Sequence, residues 1–132
     1  MYLGYIISYD IGTTGVKTCL FTIDKEVKMI AGQYGTYGLY ILPDGGAEQD
    51  ADEWWEAMCE ATEGLLSKTG VKAEEIDAIS FCSQMQGMVL VDKDGNAIRR
   101  PMSYMDQRAG DIMKKYGGNG ISVLGLNAGK LI

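Results

Sequence analysis

The segment Asp10-Ile11-Gly12-Thr13-Thr14-Gly15-Val16-Lys17 lies between two short apolar runs, residues 3–9 and 16–23. Both runs carry β-branched and aromatic side chains and read as strands. Only residues 10–15, with Gly12-Thr13-Thr14-Gly15 as the break, separate them, too few for a crossover, so the strands must pair as an antiparallel hairpin. Asp24-Lys25-Glu26 turns the chain again, and residues 27–37 read as a third strand interrupted by Gly32 and Gly35. An antiparallel three-strand meander follows from this order.

The first turn has the residue types for binding phosphate. Gly12 and Gly15 allow backbone N–H groups to point into one concavity. Thr13 and Thr14 add hydroxyl donors, and Lys17 adds a positive charge. Asp10, acceptor-only when ionised, suits a magnesium ion held through water. The same residues would equally make a plain Gly/Thr turn in which Asp10 satisfies nearby backbone. The spacing is not that of a Walker A loop.

Beyond the meander, residues 43–47 read as a loop. Asp50 and Glu53 resemble a capping box. Ala51, Trp54, Trp55, Met58, Ala61, Leu65 and Leu66 then recur at helical spacing. A helix is predicted over 51–68, ending near Gly70, with both tryptophans as core anchors. Residues 76–82 form another apolar strand. Residues 87–91 and 97–100 flank Asp94-Gly95, a strong hairpin signal. Residues 106–116 read as a short helix, 117–120 as a Gly-rich break and 128–132 as a helix beginning. No internal repeat is present.

Composition removes several functional classes. The chain of 132 residues supports one domain, and its 46% apolar content allows a buried core. It has no histidine, which excludes Ser-His-Asp and Cys-His catalysis and leaves acid–base work to carboxylates. The three cysteines form no CxxC pair, so neither a disulfide framework nor a thiolate metal site is expected. A net charge of -6 without a basic cluster argues against nucleic acid or an anionic membrane as partner. No signal peptide or membrane-length apolar run is read, and a reducing cytoplasm is the simplest location.

The motif Asp10-Ile11-Gly12-Thr13-Thr14-Gly15-Val16-Lys17, continuing into Cys19-Leu20-Phe21, resembles the first phosphate motif of the FGGY carbohydrate kinases. These belong to the actin–chaperone–hexokinase superfamily, built on ribonuclease H-like halves. Glu48-Gln49-Asp50 leading to Glu53-Trp54-Trp55 is similar to the segment before the first long helix of xylulokinase-like members. Ser83-Gln84-Met85-Gln86-Gly87 resembles their sugar-contact stretch. Asp106 and Arg108 match a Trp-x-Asp-x-Arg motif. Gly125-Leu126-Asn127 and Lys130-Leu131 look like the helix that follows. Gln86 stands where xylulokinases carry histidine, Tyr104 replaces tryptophan and Met105 replaces asparagine.

The resemblance implies an α/β, ribonuclease H-like fold with a mixed sheet, the meander and flanking helices. It implies that residues 1–132 are the first part of an N-terminal, sugar-binding domain, itself incomplete. It implies ATP and magnesium as cofactors, with Asp10 near the metal and Gly12, Thr13, Thr14, Gly15 and Lys17 at the nucleotide phosphates. Gln84, Met85, Gln86, Asp106 and Arg108 would contact the sugar. Read without the family, Gln84, Gln86, Asp106 and Arg108 suit polyol hydroxyls. Taken singly they suit strand-end amides, a helix cap and a solvated helix residue better, and only together with the hairpin do they favour a sugar site. Gln86 and Asp106 are expected to face one cleft.

The family's catalytic aspartate lies in a Gly-x-x-Asp segment that this sequence does not match, so the chain alone is expected to be inactive. The implied reaction transfers the ATP γ-phosphate to a sugar hydroxyl, with a ketose such as xylulose leading. A glycerol or other polyol kinase, or a non-catalytic sugar- or nucleotide-binding module, are the alternatives. A homodimer is left open for the full-length protein.

Overall fold

The structure, a computed structural model, describes residues 4–116, 122–123 and 126–127. Strands β1 (Gly4–Ile11), β2 (Gly15–Ile23) and β3 (Val27–Thr36) form the expected antiparallel meander. Two-residue strands β4 (Tyr40–Ile41) and β5 (Ala47–Glu48) pair with each other. Helix α1 (Ala51–Thr69) leads through a short 3-10 turn at Ala73–Glu75 to β6 (Ile76–Ser83). β6 joins β1 in parallel, giving a mixed sheet of order β3-β2-β1-β6. A strand pair in parallel needs a crossover, and α1 is that crossover.

Helix α1 starts where the sequence indicates, but its cap is simpler than a capping box. Asp50 has extended backbone and accepts from the Asp52 N–H at 3.1 Å. The Glu53 carboxylate turns away, accepting from the Gly38 N–H at 2.8 Å and from the Tyr40 hydroxyl. The helix ends on Gly70, whose φ of 71° is left-handed and whose N–H bonds the Leu66 carbonyl.

The core is a thin layer between α1 and the sheet. Ile7 and Tyr9 of β1 and Val16 and Leu20 of β2 meet Ala57, Ala61 and Leu65 of α1. The helix contributes every fourth residue, so its buried stripe is made mostly of alanine. The reason lies in β3: a Cβ on Gly35 would sit 2.7 Å from the Ala57 carbonyl oxygen. Backbone meets backbone there, and no larger side chain fits. Leu20 and Leu65 are fully buried, each contributing about 2 kcal/mol of apolar burial. The tryptophans are not core anchors. Trp55 is 67% exposed and Trp54 half-buried, because the helix face that seats against Gly35 excludes bulk.

α1 covers β2 and β3, leaving β6 open. Ile79 and Phe81 pair in register with Ile7 and Tyr9, which places them on the same side of the sheet as the helix but beyond its edge. Both stay exposed, although Phe81 stacks on Tyr9 with ring centres 5.4 Å apart.

Three other expectations need correction. The 87–100 segment turns at Gly95, with φ 90°, as Asp94-Gly95 indicates. It is held by the Val91–Ala97 bridge and the Ile98 N–H to Leu90 carbonyl bond, not by paired strands. Helix α2 spans Gly110–Tyr116 rather than starting at 106, because Asp106 accepts from the Arg108 N–H in a local turn. Leu126–Asn127 forms β8, paired with β7 (Ser122–Val123), where a helix was expected. The Gly-rich break and the helix expected over 128–132, with Gly125, Lys130 and Leu131, lie outside the described residues.

Candidate phosphate turn and sugar cleft

Asp10 stands near the end of β1, between Lys17 of β2 and Cys82 of β6 in the strand register. Its Oδ2 accepts from Lys17 Nζ at 3.3 Å and its Oδ1 from Cys82 Sγ at 3.3 Å. The Cys82 bond and then Lys17 hold the Asp10 carboxyl below its ordinary range. The same contact pushes the Cys82 thiol up. Asp10 is therefore ionised at neutral pH and half-exposed, while Cys82 stays a neutral thiol donor.

The turn after Asp10 is clasped from behind. The Tyr37 hydroxyl donates to the Gly12 carbonyl at 2.5 Å and to the Gly15 carbonyl at 3.1 Å. The Tyr37 N–H bonds the Thr14 carbonyl, and Gln49 Nε2 donates to the Thr13 carbonyl at 2.7 Å. All four carbonyls of the turn thus point into protein. The Gly12 N–H is used inside the turn, on the Gly15 carbonyl at 3.0 Å. Among the described residues, the Thr13 and Thr14 N–H groups have no acceptor, leaving two donors for an anion. Burial, with Tyr34 and Asp10 nearby, pushes the Tyr37 hydroxyl up to about 12, so it remains a donor.

The glycines serve differently from the sequence argument. Neither Gly12 nor Gly15 has positive φ. A Cβ on Gly15 would lie 2.4 Å from the Gly35 carbonyl oxygen, so Gly15 is needed for close strand packing.

A cleft of about 300 Å³ opens beside the turn, with Ile11, Gln49, Trp54, Gln84, Gln86 and Ser103 among its walls. The Gln84 N–H bonds the Ile11 carbonyl at 2.8 Å, extending the β1–β6 pairing to the cleft. Gln84 Nε2 donates to Gln49 Oε1 at 2.6 Å. Gln49 is 1% exposed, so one buried amide joins the cleft to the turn at residues 12–15. Gln86 has φ 64°, the only positive value outside glycine among the described residues. Such a backbone is strained for a side chain of this size and persists only where its surroundings enforce it. Met85 is 79% exposed and is not part of the cleft wall.

Asp106 and Arg108 are not brought to that cleft. Asp106 Oδ2 accepts from the Ala47 N–H at 3.0 Å and from Arg108 Nη2 at 2.6 Å. Arg108 Nη2 also reaches Glu48 Oε1 at 2.7 Å, and Arg99 Nη2 meets the same oxygen at 2.5 Å. Arg108 holds the Asp106 carboxyl far below its usual range, and Arg108 and Arg99 lower Glu48. The two carboxylates are largely covered by this ion-pair cluster, so Gln86 and Asp106 do not share a pocket.

The sequence matches the N-terminal domain of the FGGY family of carbohydrate kinases over residues 5–122. This chain belongs to that family. Its relatives in the FGGY family include the xylulose kinase of Bacillus subtilis (strain 168), 36% identical over 79% of this chain and 20% of that protein. They also include the glycerol kinase of Agrobacterium fabrum, 28% identical over 92% of this chain and 24% of that protein. Among solved structures, the gluconate kinase of Lactobacillus acidophilus superposes with a TM-score of 0.76 at 30% identity. That superposition covers 86% of this chain and 22% of the other. The chain thus spans about a fifth to a quarter of the length of these relatives, and it has the ribonuclease H-like fold of FGGY sugar kinases. No described helix is long and apolar enough to cross a membrane.

Sequence reasoning missed Gln49 and Tyr37 as parts of the site. Gln49 sits in the recognised Glu-Gln-Asp segment, but its buried bonds to positions 13 and 84 are tertiary. Tyr37 closes the third strand-like run, and nothing local shows that its hydroxyl returns to the turn.

Proposed function

We propose that this chain is the first part of the N-terminal, sugar-binding domain of an ATP-dependent carbohydrate kinase. The whole protein transfers the γ-phosphate to a hydroxyl of a sugar, a ketose such as xylulose. The observation that carries this reading is the turn whose carbonyls are all withdrawn. Thr13 and Thr14 N–H groups are left for phosphate oxygens, beside an ionised Asp10 and the polyol-sized cleft. Lys17, paired with Asp10 at 3.3 Å, adds a positive charge beside the turn.

Magnesium fits Asp10 by chemistry. No described group of three or more His, Cys, Asp or Glu side chains could hold a metal alone. Magnesium in phosphoryl-transfer sites needs no such cage: one carboxylate suffices when water and phosphate complete the shell. When bound, the ion neutralises charge on the transferring group. The chain's own residues orient the phosphates through the Thr13 and Thr14 N–H groups and present the sugar from the Gln84–Gln86 wall. No residue of this chain is assigned as the base.

The glycerol kinase similarity keeps a smaller polyol as the second reading, and Gln86 in place of histidine bears on that choice. In the full-length protein, Asp10→Ala should lower kcat by about a hundredfold or more, the scale of losing a metal-positioning group. KM for xylulose should stay unchanged. Normal turnover in that variant refutes the role of Asp10. An absence of phosphorylation of any sugar or polyol by the wild-type protein refutes the kinase reading.

A further inference from the structure

Two side chains that line the cleft each bury a polar atom, of opposite kind, that no protein group bonds. Trp54 Nε1 is a donor and Gln84 Oε1 an acceptor, and neither has a hydrogen bond in the structure. Both side chains line the same 300 Å³ space. A buried polar group without a partner costs stability, so such groups are rare without a reason.

The orientation of Gln84 is fixed by its neighbours. The Thr13 carbonyl can only accept, so Gln49 must present Nε2 to it and Oε1 to Gln84. Gln84 must then donate through Nε2, which leaves its Oε1 as the free end of the relay. The phosphate turn therefore dictates that the unused atom of Gln84 is an acceptor. The indole N–H of Trp54 can only donate. A group that satisfies both kinds must both donate and accept. A water or a hydroxyl does so, and a sugar hydroxyl can displace such a water; a fully ionised phosphate, a carboxylate or an ammonium ion does not.

We propose that Trp54 and Gln84 together recognise a hydroxyl of the bound sugar, with Gln49 as the positioning residue that presents the Gln84 oxygen. The proposal rests on the sugar-kinase reading and adds Trp54 as a specificity determinant. Trp54 comes from the first turn of α1, whose cap follows Gln49 directly, so the donor and the relay are fixed by the same helix start.

The test uses Trp54→Phe in the full-length protein, a change that removes the N–H and keeps most of the ring. KM for xylulose should rise about tenfold, because a site built to bond a hydroxyl loses one bond. KM for ATP should stay within twofold. A series of monodeoxy xylulose analogues then identifies the hydroxyl. For one of them wild type and Trp54→Phe should show the same KM, since the interaction is already gone. In a spectrum of indole N–H groups, the Trp54 signal should move on saturation with xylulose while the exposed Trp55 signal stays. If the wild type phosphorylates xylulose but its Trp54 signal does not move and Trp54→Phe keeps the same KM, the proposal is overturned and the kinase reading stands. If every deoxy analogue still separates the two proteins by the same factor, the effect of Trp54 is structural and the proposal is also overturned. If the wild type phosphorylates no sugar or polyol, both fall.

Discussion

The Glu48–Arg99–Asp106–Arg108 cluster and the Trp54–Gln84 cleft are neighbours along the chain, since Glu48 precedes Gln49 and Asp106 follows Ser103. Their polar bookkeeping is opposite. In the cluster, each carboxylate meets a guanidinium, and Asp106 also holds the Ala47 N–H. Of the residues lining the cleft, Trp54 and Gln84 bury a donor and an acceptor that no protein group bonds. The resemblance assigns Asp106, Arg108, Gln84 and Gln86 alike to the sugar. The geometry separates them: Asp106 and Arg108 satisfy one another beside the wall, whereas Gln84 keeps an acceptor that no protein group bonds.

The largest effect that tests this contrast is on folding. Asp106→Ala removes the partner of Arg108 and of the Ala47 N–H and should destabilise the chain by about 2 kcal/mol in urea unfolding. Unchanged stability would mean that Asp106 does not brace the wall, and would return it to the list of sugar contacts.

A smaller effect is carried by pH. The folded Asp106 carboxyl is held well below the ordinary aspartate range, with the Arg108 bond the main cause. A depressed folded value gives stability that is fully present above the unfolded value and lost as pH falls through the folded one. The contribution of Asp106 to the urea midpoint should therefore be constant between pH 7 and 5, and should decline below about pH 4. Asp106→Asn should flatten that acid limb. An equally steep decline in the Asn variant would assign it to other carboxylates, Glu48 first.

The smallest effect is expected from the cleft. Trp54→Phe should change unfolding free energy by less than about 0.5 kcal/mol, because no hydrogen bond is lost in the ligand-free chain. A cost near that of Asp106→Ala would mean that Trp54 is held as firmly in the ligand-free chain as Asp106 is, and the contrast would disappear.

Much of the frame was legible in the sequence because its signals are local. The meander follows from short apolar runs around Gly-Thr-Thr-Gly, and the helix from Asp50 and Gly70 with a period between them. The buried face of that helix was not legible. Trp54 and Trp55 are its most apolar bulk, yet Ala57 and Ala61 are buried because of Gly35, on a strand that precedes the helix. The site divided in the same way. Asp10 and the turn are contiguous and could be read together. Arg108 finds Glu48 at a separation of 60 residues, and no local pattern reveals that pairing.

The contact between Gly35 and Ala57 also has a mechanical consequence. With backbone against backbone and no compressible side chain between, α1 cannot roll or slide on β3 without a clash. The helix start carries Trp54, and Gln49 just before it grips the Thr13 carbonyl. Sheet, turn and helix therefore act as one stiff jaw. Any adjustment of the cleft to a ligand would then fall to the stretch between Gln84 and Pro101, whose two ends are themselves tied to Ile11 and Gln49.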